Sequence, residues 1–517
     1  MSFIFMISVF VIFSLFRPAF STVICVVLAE IVYTLFQNRY GSGLLQYPGP
    51  FLASLTNFWR VRDAYVNGRK RPSYVRLHNQ YGSVVRLGPE SLSFSNPAAI
   101  DDIYNTKNNM AKSKWYIAFE AHGKGHKKEN LFSTRDIHWH ARYRAAVARG
   151  FTMSHLAEQE KQIDGLIMLL LRNLDEAASK TQGGGLVDLP LNLQYFTFDA
   201  GGVFAFDTPY GFLKSKLDLD GIIQSVRVGS VHLNRLAQAP LLQVFLDKNP
   251  LAVYFGFIAP PMAFAQKYLP INRIEASISD PKTKVKHHDI LDQYLTANSE
   301  HPDVVTKDEI VDLGLMVVVP ASEAVRTAIS VCIFQMIKHP AALSKLQREI
   351  DSVITDREPI PDFATVSTQL PYLDACIKET FRIHPSTGFM MDRIVPPGGA
   401  VIDGHFVPAG TAVGCSSWVI HRHKATYGED VETFRPERWL EASPDQRANM
   451  EKFLCPFGFE SRLCLGREIG LFEVVKLCAT LFSKYTITLE NPKDDMAIEW
   501  GNIVSVDFNV TLARRKV

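Results

Sequence analysis

The sequence FLCPFGFESRLCLGREIG, residues 453–470, contains a cysteine whose surroundings suit chemistry at sulfur. Cys464 stands in a glycine-containing loop directly before a helical pattern, where backbone N–H groups and the helix dipole would favour a thiolate. Gly466 would let a flat ligand or another backbone approach closely, and Arg462 could pair with a carboxylate in bidentate fashion. The alternative is a buried, inert cysteine. On spacing alone, both interpretations of Cys464 stay open.

A second stretch, VVVPASEAVR at residues 317–326, places a proline and an acid inside an apolar pattern that is typical of a buried helix. Pro320 has no N–H, so it would remove the hydrogen bond to the carbonyl of Met316 and kink the helix. Glu323 would have a raised pKa because burial disfavours the carboxylate, which suits it to passing protons. The plainer alternative is a kink that serves only packing.

The elements that would position these residues are mostly helices. Thr306 and Glu309 form a T-x-x-E capping box, and the apolar pattern that follows ends before Pro340. This predicts one helix of about 32 residues, roughly 48 Å long. Short β-like runs at 82–97 and 400–414 predict hairpins, and the C-terminal part alternates as strands do. The predicted fold class is therefore mainly α with small β-sheets.

One group of charges looks structural. Glu379 and Arg382 are three residues apart on one predicted helix and can pair. Arg438 could close a charge triad with them. Such a network would support the loop that bears Cys464 without touching a substrate, whereas an ordinary solvated salt bridge is the alternative.

Three motifs follow one another in a meaningful order: K-E-T-F-R at 378–382, F-R-P-E-R-W-L at 434–440, and the cysteine loop F-G-x-x-x-R-x-C-x-G. Together, over about residues 45–515, they resemble the cytochrome P450 family. The resemblance implies haem b (iron protoporphyrin IX), with Cys464 as the thiolate ligand of the metal. It assigns Glu379, Arg382 and Arg438 to the family's structural cluster. The remaining residues that it places at the cofactor in this loop are Phe457, Arg462 and Gly466.

The loop departs from the family pattern at one position. The family usually has a glycine four residues before the cysteine, and this chain has Glu460. A glutamate there needs either an ordinary backbone conformation or a strained one. We interpret it as tolerated variation. Cys455, nine residues before Cys464, lacks the surrounding pattern.

The resemblance also implies cations for the two haem propionates, because buried carboxylates without partners are costly. These would be His140, Arg144, Arg393 and Arg462. Trp139 is the alternative to His140 if the register of this motif moves by one residue.

The long central helix of the family crosses above the haem with an acid followed by a threonine. Here the acid is Glu323 and the threonine is replaced by Ala324. Three explanations stay open for the missing hydroxyl. A substrate hydroxyl or an ordered water replaces it, Ser322 or Thr327 reaches in, or the reaction differs from ordinary monooxygenation.

The expected function is that of a haem-thiolate monooxygenase acting on an apolar small molecule, with electrons from NADPH through NADPH-cytochrome P450 reductase. A P450-fold enzyme that rearranges, cyclises or dehydrates without net oxygen insertion is the first alternative. A non-catalytic haem-binding protein is the second. The motif style resembles fungal P450s of secondary metabolism, near the pisatin-demethylase-like group. Substrate-facing segments are expected at 110–124, 198–206 and 386–392.

The composition of the chain argues against nucleic-acid binding and against a disulfide-stabilised fold. The net charge is +2 and no long basic block occurs, so nucleic-acid binding has no electrostatic support. Seven cysteines without regular spacing indicate no disulfide framework.

Two apolar runs, at 2–16 and 19–36, predict an N-terminal membrane anchor. One span with an interfacial segment, a hairpin of two spans, or a cleaved signal peptide are the alternatives. The Pro-Gly-Pro segment at 46–52 predicts a stiff hinge. The expected domains are an anchor at 1–44 and a haem domain at 45–517. The expected location is the endoplasmic reticulum membrane, with the catalytic domain in the cytosol.

Overall fold

A computed structural model of the chain describes residues 22–108, 110–123, 126–179, 185–240, 249, 270–279, 289–311, 313, 317–356 and 359–515. The apolar run at 2–16 lies outside them.

Helices dominate the described residues. In chain order they are α1 (Thr22–Gly41), α2 (Phe51–Leu55), α3 (Phe58–Val66), α4 (Tyr74–Tyr81), α5 (Ala98–Tyr104), α6 (Ile137–Val147), α7 (Met153–Ala157), α8 (Glu160–Ser179), α9 (Leu189–Phe206), α10 (Phe212–Ser215), α11 (Ile222–Ala237), α12 (Ile271–Ser279), α13 (Ile290–Glu300), α14 (Lys307–Val311), α15 (Val319–Lys338), α16 (Pro340–Val353), α17 (Phe363–Gln369), α18 (Pro371–Ile383), α19 (Ser417–Ile420), α20 (Lys424–Tyr427), α21 (Glu437–Glu441), α22 (Pro444–Phe453) and α23 (Arg467–Lys484).

The strands are short and form small sheets at the edges of the helical body. They are β1 (Val84–Gly88), β2 (Ser91–Phe94), β3 (Ala121–Gly123), β4 (His126–Lys128), β5 (Leu186–Asp188), β6 (Arg393–Ile394), β7 (Ala400–Ile402), β8 (His405–Val407), β9 (Ala412–Cys415), β10 (Tyr485–Leu489), β11 (Ala497–Trp500), β12 (Val504–Asp507) and β13 (Asn509–Arg514). One sheet has the order β1-β2-β9-β6, another β10-β13-β5, and three are two-stranded: β3-β4, β7-β8 and β11-β12. The predicted class, mainly α with small sheets, is confirmed.

Both predicted hairpins are present. In the first, β1 pairs antiparallel with β2. In the second, Asp403 and Gly404 have φ values of 48° and 75° and connect β7 to β8. Two consecutive positive φ values match the twist of a tight hairpin, which explains the Asp-Gly pair.

The central helix differs from the single α-helix that the sequence predicts. Residues 317–318 are π-helical, and α15 begins at Val319 with Pro320 in its first turn. The missing N–H of a proline costs least in a first turn, so the change of helix type here has a local cause. Met316, the expected site of the lost hydrogen bond, lies outside the described residues.

The core is built around α15. Val318 packs against Gly201 of α9, and Thr197 donates to the Ser322 carbonyl at 2.9 Å. The segment 198–206 was expected to face a substrate, and this is wrong. All of its residues are buried within α9, which is apolar on every side because it crosses the core.

The helix α1 carries the remaining part of the predicted anchor. It is long and apolar enough to cross a membrane, and none of its apolar window is buried by the rest of the chain. Its last turn nevertheless contacts the body. Asn38 donates to the Leu55 carbonyl at 2.7 Å, Arg39 donates to Ser54 at 2.8 Å, and the buried Arg86 donates to the Asn38 carbonyl at 2.5 Å and to Ser42 at 2.8 Å.

Candidate active site

The Cys464 loop is folded back on itself between α22 and α23. The Cys464 N–H donates to the Phe457 carbonyl at 2.7 Å, and Gly466 caps the N-terminus of α23. A side chain added at Gly466 would meet no atom of the described residues within 4 Å. The Cys464 thiol is accessible, although many protein atoms surround it. The thiol therefore borders an internal space, and Gly466 leaves that space open.

In the protein alone, the surroundings of Cys464 favour the neutral thiol over the expected thiolate. Burial raises the pKa of Cys464, against the lowering effects of the Gly466 N–H and of Arg144. The helix N-terminus and Arg144 lower the pKa of Cys464 by less than the loss of water raises it. A coordinated metal ion would reverse the balance, because its charge deprotonates a bound thiol.

The Glu460 position is strained. Its φ is 44°, in the left-handed region, and it opens a short 3-10 turn over Glu460–Arg462. A left-handed conformation costs a non-glycine residue roughly 1–2 kcal/mol. Of the two conformations open from the sequence, the strained one is observed.

Five cationic or potentially cationic side chains converge beside the loop: His140, Arg144, Arg393, Arg462 and, not anticipated from the sequence, Lys112. Burial lowers the pKa of His140 to about 3, with further lowering by the other four cations. The same causes, burial first and then Arg393 and Arg462, hold the pKa of Lys112 well below its ordinary value.

The cations are placed by three elements. Arg144 of α6 donates to the Leu463 carbonyl at 2.7 Å, and Lys112 is bridged to Arg393 of β6 through the backbone. Trp139, the alternative to His140, stacks on Tyr143 with ring centroids 4.7 Å apart, so its role is packing.

This cluster fits the haem that the resemblance implies. No ion pair with a carboxylate joins the five side chains in the described part of the chain. One buried nitrogen, Nη1 of Arg462, has no hydrogen-bond partner. Buried like charges with an unpaired donor call for a bound anion. The two propionates of a haem would supply it, with Cys464 beside the same space.

The predicted charge triad is fully buried and tightly bonded. Arg382 donates to both carboxylate oxygens of Glu379, at 2.8 and 2.9 Å. Arg438, Trp439 and the backbone N–H of Arg435 donate to the same carboxylate at 3.1, 3.0 and 2.9 Å. The carboxylate therefore has five donors, and both of its oxygens are satisfied.

The triad reaches the cysteine loop through one histidine. Arg382 donates to the His421 carbonyl at 3.1 Å, and the Cys455 N–H donates to Nε2 of His421 at 2.9 Å. The proton of the ring is then on Nδ1, which donates to the Phe381 carbonyl at 3.1 Å. Cys455 itself is buried, and burial raises its pKa to about 12. Its thiol is inert, and its backbone anchors the loop.

The helix α15 packs against α23, the helix that begins directly after the loop. A side chain added at Gly470 would meet Val325 at 3.7 Å and Phe457 at 3.8 Å, which fixes where α15 and α23 cross. Pro320 and Ala324 are accessible, whereas most of the following helix is buried. These two residues, four positions apart, share one face, which borders an open space.

The missing threonine hydroxyl is not supplied by Ser322. Its Oγ donates to the Val319 carbonyl at 2.8 Å, so it is used within the helix. Thr327 is buried, and its Oγ1 has no partner among the described residues. Ser386 brings the hydroxyl of another element to 3.5 Å from the Ala324 carbonyl. The expected segment 386–392 thus lies next to Ala324.

Glu323 is buried, and burial raises its pKa, against the lowering effect of Arg326 and Arg227. Its carboxyl makes no hydrogen bond or ion pair within the described ranges. Arg326 instead donates to Asp507 at 3.0 Å and to the Val506 carbonyl at 2.9 Å. Arg326 was not predicted as a site residue, although the spacing Glu323-x-x-Arg326 repeats that of Glu379 and Arg382.

An aromatic cluster adjoins the cations. Trp115 stacks on Phe389 with centroids 4.4 Å apart, and Phe119 lies 5.0 Å from both Trp115 and Phe132. Lys112 lies 5.0 Å from the Phe132 ring. Part of the expected segment 110–124 therefore forms an apolar wall.

Comparisons with known proteins agree with this architecture. The family model described as Cytochrome P450 matches residues 48–507. A cytochrome P450 monooxygenase of Aspergillus flavus is 32% identical over 87% of this chain and 88% of its own. Cytochrome P450 monooxygenase cicH of Emericella nidulans is 31% identical over 91% of this chain and 94% of its own. Cytochrome P450 monooxygenase mfmA of Annulohypoxylon moriforme is 30% identical over 86% and 87%. The chain belongs to the cytochrome P450 family of oxidoreductases, and its family implies a haem cofactor.

Proposed function

We propose that this chain is a haem-thiolate monooxygenase that inserts one oxygen atom into an apolar small molecule. The observation that carries the proposal is the buried cation cluster beside Cys464, which has no carboxylate partner among the described residues. His140, Arg144, Arg393, Arg462 and Lys112 would hold the propionates, and Cys464 the metal. Haem ligated by a thiolate supplies the oxidising chemistry, and the protein supplies orientation and proton access.

The ligand assignment is tested by spectroscopy of the reduced carbon monoxide complex. We expect the red-shifted Soret band that thiolate ligation gives, and its loss in Cys464→Ser. Cys455→Ser is the matched control, because Cys455 is also a cysteine of this loop, but its buried thiol contacts Ser417 and His421. A Soret band unchanged in Cys464→Ser would refute the assignment.

Glu323 is the proposed proton donor. It is held without a hydrogen bond or ion pair within the described ranges, so it can lose and regain a proton without breaking one. General acids of this kind contribute about 10²–10⁴-fold to rate. We therefore expect Glu323→Gln to lower product formed per NADPH and to raise peroxide release. Equal coupling in the variant and the unaltered protein would remove Glu323 from the mechanism.

Ala324 supports a second candidate function, which is a rearrangement, cyclisation or dehydration without net oxygen insertion. Without the threonine hydroxyl at this position, α15 has one hydrogen-bonding group fewer to support proton transfer. Reductase dependence and isotopic oxygen incorporation from O₂ separate the two functions. Ala324→Thr gives a finer test, because improved coupling would show that the native reaction runs without full proton control, and unchanged coupling that another hydroxyl replaces it.

The electrons are proposed to come from NADPH through NADPH-cytochrome P450 reductase. A haem that is loaded but never reduced by this partner would support a non-catalytic haem-binding protein instead. The aromatic wall at Trp115 and Phe389 supports an apolar substrate, and the relatives support a role in fungal secondary metabolism. Deleting the gene and identifying the compound that accumulates would name the substrate.

We also propose anchorage in the endoplasmic reticulum membrane, with the body in the cytosol. The helix α1 supports this, and an exposed apolar surface continues from it: Leu45, Phe51, Leu52 and Phe58 are each more than half exposed. In vesicle flotation with the full chain, serine at these four positions should weaken binding, whereas Leu217→Ser, at an equally exposed site elsewhere, should not. If the serine variant binds vesicles as well as the unaltered chain, and only mutation of α1 releases the protein, then the membrane contact is confined to α1.

A further inference from the structure

The pair Glu323 and Arg326 has the spacing of an ion pair but does not form one. Both side chains are buried, at 5% and 3% exposure, and they are three residues apart on α15. Side chains at this spacing are neighbours on a helix surface. A buried arginine next to a buried glutamate without a contact therefore needs a competing partner.

The competitor is the hairpin β11–β12. Asp507 of β12 accepts from Nη1 of Arg326 at 3.0 Å, and the Val506 carbonyl accepts from the same nitrogen at 2.9 Å. Asp507 also accepts from Arg227 of α11 at 2.6 Å, and Arg227 donates to Glu499 of β11 at 2.5 Å. Two helices, α11 and α15, and both strands of the hairpin are thereby joined by one network.

The charges in this network already balance. Two arginines, Arg326 and Arg227, face two carboxylates, Asp507 and Glu499, each about one-third exposed. Glu323 is left outside as the one carboxyl without a hydrogen bond in the described part of the site. An ionised Glu323 would add an unmatched buried negative charge, which is costly. The remaining nearby acid, Asp188 before α9, acts on the same arginines and also adds negative charge.

We propose that Asp507 holds Arg326 away from Glu323 and so keeps Glu323 in its proton-donating form. The proposal rests on the proton-donor role given to Glu323 in the proposed function. Asp507 and Arg326 are then positioning residues, because they act through Glu323 and not on a substrate. Burial acts in the same direction, since it disfavours the carboxylate.

The test measures the protonation of Glu323 directly. The infrared C=O band of protonated Glu323 is obtained from the difference spectrum between the haem-loaded full chain and its Glu323→Gln variant. The intensity of this band is then followed against pH. In Asp507→Asn, Arg326 loses its ion pair and becomes the counter-charge of Glu323. We expect the midpoint of the band to fall by about one to three pH units, the effect of an opposite charge within about 4–6 Å.

A second variant makes the test independent of folding defects. Arg326→Gln removes the nearby cation, so the midpoint should rise, opposite in sign to Asp507→Asn. Loosened packing alone would move both variants in the same direction. Glu499→Gln is the matched control, because it removes a carboxylate of the same network that does not contact Arg326. Its midpoint should fall only by the effect of the lost charge, whereas Asp507→Asn should give a larger fall because it also releases Arg326.

The two proposals fail separately. Midpoints that do not move in either variant, or that move in the same direction, overturn the positioning role of Asp507. Opposite shifts with normal coupling in Glu323→Gln would retain the positioning role and overturn the proton-donor role. Opposite shifts, with loss of coupling in Asp507→Asn above its lowered midpoint, support both.

Discussion

Two buried glutamates in this molecule stand three residues before an arginine, and they behave in opposite ways. Glu379 accepts five hydrogen bonds, two of them from Arg382. Glu323 accepts none within the described residues, because Arg326 is bonded to Asp507 and Val506. Spacing along a helix makes an ion pair possible, and the strand packed against that helix decides whether it forms.

The difference follows from the acceptors that each arginine bonds besides its neighbouring glutamate. The remaining nitrogen of Arg382 finds backbone carbonyls at His421 and Val431, which leaves its other donors for Glu379. Arg326 meets a carboxylate on the hairpin instead. One arrangement is rigid and structural, whereas the other leaves an acid free to exchange its proton.

The largest expected effect separates the two glutamates by stability. Glu379→Gln should destabilise the fold by roughly 3–5 kcal/mol, because buried arginines lose their counter-charge. The same change at Glu323 should cost less than about 1 kcal/mol, since no hydrogen bond or ion pair is removed. Denaturant unfolding of the two haem-loaded variants checks this. Equal losses would contradict the comparison.

The two regions should also respond to pH with opposite signs. Burial lowers the pKa of His421, beside the Glu379 cluster, to about 3, with further lowering by Arg382 and Arg422. Below about pH 6.5, His421 becomes protonated in the unfolded chain but stays neutral in the folded chain. The free energy of unfolding therefore falls by about 1.4 kcal/mol per pH unit as the pH drops from about 6.5 towards 3. The pKa of Glu323 is raised. Its contribution is therefore lost as pH rises through the folded value.

Unfolding midpoints over a pH series test this in His421→Gln and Glu323→Gln. The first variant should lose part of the acid sensitivity and the second part of the alkaline sensitivity. An unchanged pH profile in both would contradict the assignment of these two groups.

A smaller effect is expected at the cation cluster, whose members have no carboxylate partner among the described residues. Lys112→Met should weaken haem retention by roughly 1.5–3 kcal/mol, the range for a hydrogen bond to a charged group. Haem transfer to an acceptor protein measures it. Lys114→Met, two residues away and exposed, is the control. Identical retention in the two variants would exclude Lys112 from the cofactor site.

The smallest effect concerns the loop that the Glu379 cluster supports. Glu460→Gly should stabilise the protein by up to about 1 kcal/mol, because relief of the left-handed strain exceeds the entropy cost of glycine. Ser461→Gly, at a neighbouring position without positive φ, should destabilise it slightly. A thermal midpoint that falls in Glu460→Gly would show that the strain is compensated by other contacts.

The sequence allowed much of the fold to be predicted, because hairpin turns, the i, i+3 pair of Glu379 and Arg382, and the apolar helix pattern are local signals. The failures were not local. The raised pKa of Cys464 depends on burial, and the role of 198–206 depends on which helix covers it. Lys112 and Asp507 are far in sequence from the residues they serve, so no spacing pointed to them.

The contacts of Arg86 bear on how this protein can be shortened. A chain cut at the expected domain boundary, after residue 44, would remove the Asn38 and Arg39 carbonyls and the Ser42 hydroxyl that accept from this 2%-exposed guanidinium. A buried cation would then lose three acceptors at once. A soluble version of the enzyme should therefore begin before Asn38 and keep the last turn of the helix as part of the folded body.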